Sequence, residues 1–480
     1  MTESALFTDF YELTMAQGYW KRGMNTPAVF DMFFRRQPFG GGFSVFAGIN
    51  PLLDAISSFR FSPEDLAWLE GLGTFERGFI DYLAGFRFTG DIWAMDEGTI
   101  VFPNEPLLRV HANVIEAAIL EGLILNYVNF QSLIATKTAR IWLASNKGSI
   151  MEFGLRRAQG PDGAMSASRA AYIGGASGTS NALAGRVYGI PALGTMAHSW
   201  VMSFPSEEEA FDAYAQIYPN KSVFLIDTYN TLESGIEAAI KAGKRLAAKG
   251  HRFGVRLDSG DIQYLSCEVR AALDRAGLHE ATITVSNELT EEIIESLVLN
   301  EAPIDSWGVG THMVTGGSDS SFTGVYKLAA KSGGSGGLEP TMKLSDNPEK
   351  TTNPGVKQVW RLFNADGTAK ADVLSLEGEP LAAGTKDRYY HPSNDYQSFA
   401  FSAAKVVPLL SPRMKGGVRT CEAESLDLIR SRVRGGLEEF DRSYRRILNP
   451  HVYKVALTES LRTLKCGFLK EYRKSPDATE

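Results

Sequence analysis

Six short segments hold most of the side chains in this sequence that could do chemistry together. They are Glu152-Phe-Gly-Leu-Arg-Arg157, Gly194-Thr-Met-Ala-His198-Ser199, Asp227-Thr-Tyr-Asn230, Arg256-Leu-Asp258-Ser-Gly-Asp261, Ser286-Asn287 and Gly308-Val-Gly-Thr311. Carboxylates beside glycines and hydroxyls suit a magnesium polyphosphate: oxygen ligands take the metal, while backbone N–H groups and Ser/Thr hydroxyls take the phosphates. Arginines in the same set suit a carboxylate or phosphate, which a guanidinium grips with two parallel hydrogen bonds. Each segment also has a plainer explanation. Asp258-Ser-Gly is a common turn, and a single histidine such as His198 is often a satisfied core residue. Ser286-Asn287 could cap a helix, and Gly308-Val-Gly could mark only close backbone approach in a strand. What argues for chemistry is their common placement.

That placement comes from the elements around them. Apolar, β-rich runs at Ser222–Asp227, His251–Leu257, Thr282–Val285 and Ile304–Val309 each stop at one of these segments. Helical patterns follow at Glu233–Lys249, after Asp261 through about Arg275, and at Glu291–Leu299 with Thr290 as N-cap. The strand ends at Asp227, Asp258, Asn287 and Thr311 are 31, 29 and 24 residues apart, the length of one strand–helix unit. Ile150–Phe153 and Leu193–Ala197 read as two earlier strands. Parallel units of this kind make an open sheet or a barrel. Polar residues after every strand, with no single glycine-rich dinucleotide loop, favour a barrel whose active site gathers at one end.

The expected fold class is therefore α/β: an irregular TIM-like parallel barrel over residues 136–330, with an α+β domain built from the N-terminal and C-terminal parts of the chain. Residues 1–135 supply strands at Ala28–Phe34 and Thr99–Val110 and helices at Pro63–Leu72, Glu76–Ala84 and Val114–Ala135. Residues 331–420, entered through the flexible connector Lys331–Gly337, supply returning strands such as Gln358–Phe363 and Phe399–Val407. Residues 421–480 read as a charged helical tail with helices at Ser425–Val433 and Gly436–Ile447.

Composition removes whole classes of function. The 480 residues are 44% hydrophobic and 22% charged, as in soluble globular proteins. A net charge of −7 gives no basic field for nucleic acid. Cys267, Cys421 and Cys466 are far apart, which argues against a disulfide framework or a cysteine-rich zinc site. The N-terminus has neither a basic nor an apolar leader region. Glu116, Glu121, Asn126, Asn129 and Gln131 interrupt Val114–Ala135, so that run reads as a buried helix and not a membrane span. A cytoplasmic enzyme without membrane or nucleic-acid partners is expected.

The ordered motifs are more specific. Thr8-Asp-Phe-Tyr11-Glu-Leu-Thr-Met15, Gly194-Thr-Met-Ala-His198-Ser199, Val255-Arg256-Leu-Asp258-Ser-Gly-Asp261, Gly308-Val-Gly-Thr311 and Gly324-Val-Tyr-Lys-Leu328 fall in sequence. Met342-Lys-Leu-Ser-Asp-Asn-Pro-Glu-Lys350 and Pro354-Gly-Val-Lys357 follow. Over about residues 5–410 the chain resembles the nicotinate phosphoribosyltransferase family of NAD salvage. The resemblance implies that nicotinate, phosphoribosyl pyrophosphate and ATP are the substrates, with Mg²⁺ as cofactor and a homodimer with shared active sites. It implies stacking of the base by Phe153 and by Tyr11 from a second subunit, with Arg256, Thr195 and Arg156 as nicotinate contacts. An aromatic in an N-terminal helix would by itself read as core.

Asp258, Ser259, Gly260, Asn287, Gly308, Gly310 and Thr311 are the implied phosphoribosyl pyrophosphate contacts, and Asp258 or Asp261 the magnesium ligand. His198 is the implied site of phosphorylation by ATP, with Asp227 as its orienting carboxylate. The chain contains no Gly-x-x-x-x-Gly-Lys-Ser/Thr motif, so ATP would share the polyphosphate site. Related nicotinamide enzymes carry an aspartate where this chain has Ser180, so serine there would favour the acid over the amide. Alternatives are a nicotinamide- or quinolinate-using relative, a non-catalytic nucleotide-binding relative, and a phosphate-binding barrel lyase or isomerase. The last would need a strand-end lysine, and the strands named above end in none.

Overall fold

In a computed structural model of the chain, residues 4–334, 336–345, 347, 350–394 and 396–474 are described. The chain divides into two units, Ile134–Ser320 and Met1–Leu133 with Ser321–Glu480. Both parallel and antiparallel sheets occur, with helices from both halves of the chain.

The Ile134–Ser320 unit carries the strand–helix repeats. Among its residues, six parallel strands form one sheet in the order Gly178–Thr179, Ser149–Glu152, Ser306–Val309, Thr282–Val285, Gly254–Leu257, Val223–Leu225. Ile150, Phe224, Val255, Ile283, Val285 and Val309 are fully buried, the near-continuous apolar content of strands covered on both faces. Among the described residues no ladder joins the Gly178–Thr179 edge to Val223–Leu225. Leu193–Ala197, expected as a strand, is not one. Its pairing stops at an isolated bridge between Ala192 and Thr179, where the Thr179 N–H donates to Pro191 O at 3.0 Å and the Leu193 N–H to Thr179 O at 2.9 Å.

The helices after the strands start where their caps dictate. Asp261 accepts the Tyr264 N–H at 3.0 Å and begins Ile262–Arg275. Thr290 accepts the Ile293 N–H at 3.3 Å and begins Glu291–Leu299. Buried Glu291 meets Lys137 Nζ at 2.5 Å and Arg140 Nε at 2.8 Å. Burial alone would raise its carboxyl, yet the two cations hold it below the ordinary value. This anchors the helix, and so the Ser286–Asn287 loop before it.

The other unit takes strands from both ends of the chain. One sheet is antiparallel throughout, in the order Leu338–Pro340, Gly324–Ser332, Pro27–Phe34, Leu108–Asn113, Asp91–Ala94, Ser411–Lys415, Val418–Arg419. A second runs Ser398–Ser402, Lys386–Tyr390, Val455–Leu457, Ala369–Leu376, Lys357–Phe363, Lys405–Pro408. The expected Thr99–Val110 strand is two pieces, Ile100–Val101 and Leu108–Asn113, because Pro103 and Pro106 interrupt it. Phe399–Val407 is likewise split, into Ser398–Ser402 and Lys405–Pro408. The Lys331–Gly337 segment closes a hairpin, with the Gly333 N–H donating to Gly337 O at 2.8 Å. Its Ser335, like Asp346, Pro348 and Glu349 of the Met342–Lys350 motif, lies outside the described residues.

The tail is not wholly helical. Leu426–Glu438 and Glu459–Lys474 are helices, but the expected Gly436–Ile447 helix is only the end of the first of these and a short 3₁₀ turn at Arg442–Tyr444. Val455–Leu457 enters the second sheet. Residues Val114–Ala144 are long and apolar enough to cross a membrane by length and composition, but 61% of the apolar 18-residue stretch within them is buried inside the protein. It is a core helix pair, Val114–Ile119 and Glu121–Ala144.

Helix Phe10–Lys21 presents Phe10, Tyr11 and Met15 to solvent, with Tyr11 49% exposed, so Tyr11 is not a core aromatic. Beside it Glu12 is fully buried, next to Tyr11 and the Glu121 carboxylate. Burial, and then the Glu121 carboxylate, push its carboxyl up from 4.5 to about 8. A folded-state value above the unfolded one means that the native chain holds the extra proton. The associated stability is complete below the unfolded value and is lost as pH rises through about 8. The Tm of Glu12→Gln should therefore gain on wild type between pH 5 and 8 and stay level above. Parallel Tm profiles by calorimetry would contradict the assignment.

Candidate active site

A cleft of about 550 Å³ opens where the strands of the Ile134–Ser320 unit end. Its wall includes Phe153, Arg156, Arg157, Ser180, Thr195, His198, Arg256, Asp258, Ser286, Asn287, Gly308, Gly310 and Thr311. Five of the six segments thus reach it with two or more residues each, four of them from the C-terminal ends of parallel strands.

At one end lies a flat apolar surface. The Phe153 ring crosses the strand Ser306–Val309 at Gly308, where any Cβ would sit 2.7 Å from two ring carbons. The glycine is needed for that close approach. Arg256 also lines the cleft and donates from a terminal guanidinium nitrogen to Thr195 Oγ1. Its Nε is buried without an acceptor in the protein. Burial lowers the guanidinium from its ordinary value, Asp258 and Asp227 oppose that, and Arg156 adds to the lowering. Two guanidiniums that repel each other beside an unused donor make a site for an anion. Ser180 lines this end too, and it does not cap the following helix. Asn181 does, accepting the Ala184 N–H at 3.2 Å.

At the other end the carboxylates are held by their neighbours. Asp227 Oδ2 accepts from the Asp258 N–H at 2.8 Å and from Ser259 Oγ at 2.6 Å. Ser286 Oγ donates to Asp258 Oδ1, which leaves Asp258 Oδ2 facing His198 Nε2 at 3.8 Å. Asn287 has φ +92° and Gly260 φ +80°. The asparagine is a non-glycine residue held in the left-handed region at the edge of the cleft, a strain typical of functional loops.

The contact expected between Asp227 and His198 is instead made by Thr228, whose Oγ1 lies 3.1 Å from His198 Nδ1. Asp227 is engaged with the turn at Asp258. Its other oxygen, Oδ1, is buried with no partner in the protein. Asp261 caps its helix, and of the Asp227 and Asp258–Asp261 residues only Asp258 is part of the cleft wall. Among the described residues no group of three His, Cys, Asp or Glu side chains is placed to hold a metal by itself. The orphaned Asp227 Oδ1 and the exposed edge of Asp258 offer the one or two carboxylates that magnesium needs when substrate phosphates supply the rest.

Thr228 and Glu152 have no role in a reading of sequence alone. A threonine beside a strand-end aspartate is the signal that could have found the first. Tyr11 belongs to the other unit.

Family models match along most of the chain. The nicotinate phosphoribosyltransferase N-terminal domain matches residues 6–129, the nicotinate phosphoribosyltransferase family residues 149–313, and its C-terminal domain residues 356–465. The chain is 45% identical over 380 residues to nicotinate phosphoribosyltransferase pncB2 of Mycobacterium tuberculosis, covering 78% of this chain and 79% of that one. It is 39% identical to the nicotinate phosphoribosyltransferase of Bacillus subtilis, over 95% of this chain and 93% of the other. The crystal structure of human nicotinic acid phosphoribosyltransferase superposes with a TM-score of 0.83 at 30% identity, covering 96% of this chain and 99% of that one. The chain therefore belongs to the nicotinate phosphoribosyltransferase family, enzymes of NAD salvage from nicotinate.

Proposed function

We propose that nicotinate stacks on Phe153 with its carboxylate toward Arg256, Thr195 and Ser180 and with Arg156 nearby, while phosphoribosyl pyrophosphate lies along Asp258, Ser259, Gly260, Asn287, Gly308, Gly310 and Thr311. The observation that carries this reading is half-buried Arg256, whose buried Nε has no acceptor and whose charge is set beside that of Arg156. The pyridine nitrogen attacks C1′ of the ribose as pyrophosphate leaves, through an oxocarbenium-like state. Almost no proton moves, so the side chains act by positioning the ring and by neutralising the leaving group. Gly310 and Thr311 offer N–H and hydroxyl donors to the 5′-phosphate. Mg²⁺, when bound, neutralises pyrophosphate charge, with Asp258 and Asp227 as its protein ligands.

ATP enters the same polyphosphate site at another stage. With Nδ1–H donated to Thr228, His198 Nε2 presents its lone pair to the γ-phosphorus. Nε2 forms the new P–N bond, ADP departs, and water later releases phosphate. The exposed Tyr11 completes the site of a second copy in a cytoplasmic homodimer, and the parallel sheet is the wall of an irregular barrel. The test is formation of nicotinate mononucleotide from labelled nicotinate and phosphoribosyl pyrophosphate with magnesium, with and without ATP. Product should form in both and rise with ATP. Mixed Tyr11→Ala and Asp258→Ala subunits should recover activity toward half of wild type per heterodimer. No recovery in proven heterodimers would return Tyr11 to its own subunit.

A further inference from the structure

Glu152 ends the strand Ser149–Glu152, is 1% exposed, and does not itself reach the cleft. Its carboxylate collects three neutral donors. The Gly154 N–H folds back to Oε1, and Ser168 Oγ, at 2.9 Å, and Thr179 Oγ1 meet Oε2. Its backbone oxygen accepts the Ser180 N–H at 2.8 Å. Thr179 Oγ1 in turn accepts the Asn181 N–H at 2.9 Å, at the cap of helix Ala182–Tyr188. One buried side chain thus ties the turn that carries Phe153 to the loop that carries Ser180. A buried carboxylate surrounded only by neutral donors is tolerated when every donor is aimed at it. Such a group fixes the positions of its donors as firmly as they satisfy it.

We infer that Glu152 is a positioning residue for the base, setting the Phe153 ring and the Ser180 loop at the separation a flat anionic ring requires. This rests on the placement of nicotinate against Phe153 proposed above. The carboxylate acts as an acceptor hub, and its charge does not act on the reaction. Glutamine can fill the same place: its oxygen accepts from Gly154 N–H, and its amide donates to the Ser168 and Thr179 hydroxyls, which turn to accept.

Steady-state kinetics with each substrate varied separately test this. Glu152→Ala should raise the nicotinate KM by about ten- to a hundredfold, the cost of misplacing a binding surface by a fraction of an ångström to one ångström. The KM for phosphoribosyl pyrophosphate and kcat at saturating nicotinate should stay within about threefold. Glu152→Gln should restore most of the loss. Thr179→Val, which cuts one tie at constant volume, should raise the nicotinate KM alone and to a smaller degree. It carries the test together with Glu152→Gln if the alanine variant does not fold. Phe153→Ala is the control for the base site. A nicotinate KM unmoved by Phe153→Ala overturns the base placement and this inference with it. A KM moved by Phe153→Ala but not by Glu152→Ala or Thr179→Val, an equal loss for both substrates, or a glutamine variant as poor as alanine overturns the positioning role alone.

Discussion

With aspartate in place of Ser180, kcat/KM for nicotinate falls about a thousandfold while activity toward nicotinamide is spared or rises. Two carboxylates about 4 Å apart cost about 4 kcal/mol at an effective dielectric of 20, and each 1.4 kcal/mol is a factor of ten. Nicotinate is fully charged at neutral pH, whereas the amide is neutral and offers N–H donors that an aspartate can accept. The position suits the experiment because Ser180 lines the cleft with Phe153 and Arg256, while the helix after it is capped by Asn181. A new side chain there alters the site without uncapping a helix. Both substrates are measured with purified enzyme. Equal losses for the two would mean that the loop has merely been damaged, and selectivity would then rest with Arg256, Thr195 or Arg156.

His198→Ala eliminates stimulation by ATP and leaves a basal, ATP-independent transfer. The imidazole is 40% exposed and touches Thr228 and Asp258 only at its ring nitrogens, so its removal opens no cavity in the core and does not threaten the fold. The nucleophilic nitrogen is what disappears. After incubation with γ-labelled ATP, acid-labile and base-stable label should be found on the wild type and not on the variant. Label on both proteins in equal amount would place the phosphoryl acceptor elsewhere.

Strand–loop–helix order in the middle of the chain was legible because it is written locally. Thr282–Val285 is β-rich, Thr290 is a capping residue, and Glu291–Leu299 has helical periodicity, so sequence and structure agree to the residue. Leu193–Ala197 misleads, since its apolar run says strand while its neighbour Gly178–Thr179 is only two residues long and offers no edge for it to pair along. The tail misleads for a different reason. Val455–Leu457 is three residues long, and its strand character comes from Ala369–Leu376 beside it, a partner distant in sequence. The same limit applies in the cleft. That Asp258 and Arg256 are near one another is visible in a strand-end motif. That Thr228, and not Asp227, meets His198 depends on how far each side chain reaches from adjacent positions. Glu152 stands in one of the chemistry-bearing segments, but its role is hidden in the sequence because a buried acceptor is defined by its donors, and Gly154, Ser168 and Thr179 come from three separate elements.

The placement of Val455–Leu457 between Lys386–Tyr390 and Ala369–Leu376 also orders events during synthesis. Domains close as their last strand emerges from the ribosome. The parallel sheet has all six of its strands once Val309 has been made. None of the strands of the second sheet of the other unit exists at that point, and after the other five have been made that sheet still lacks an internal strand until residue 457 has been added. A nascent chain stalled just short of Val455 therefore carries a finished parallel sheet alongside a split one, its unpaired edges open to chaperones or to neighbouring chains.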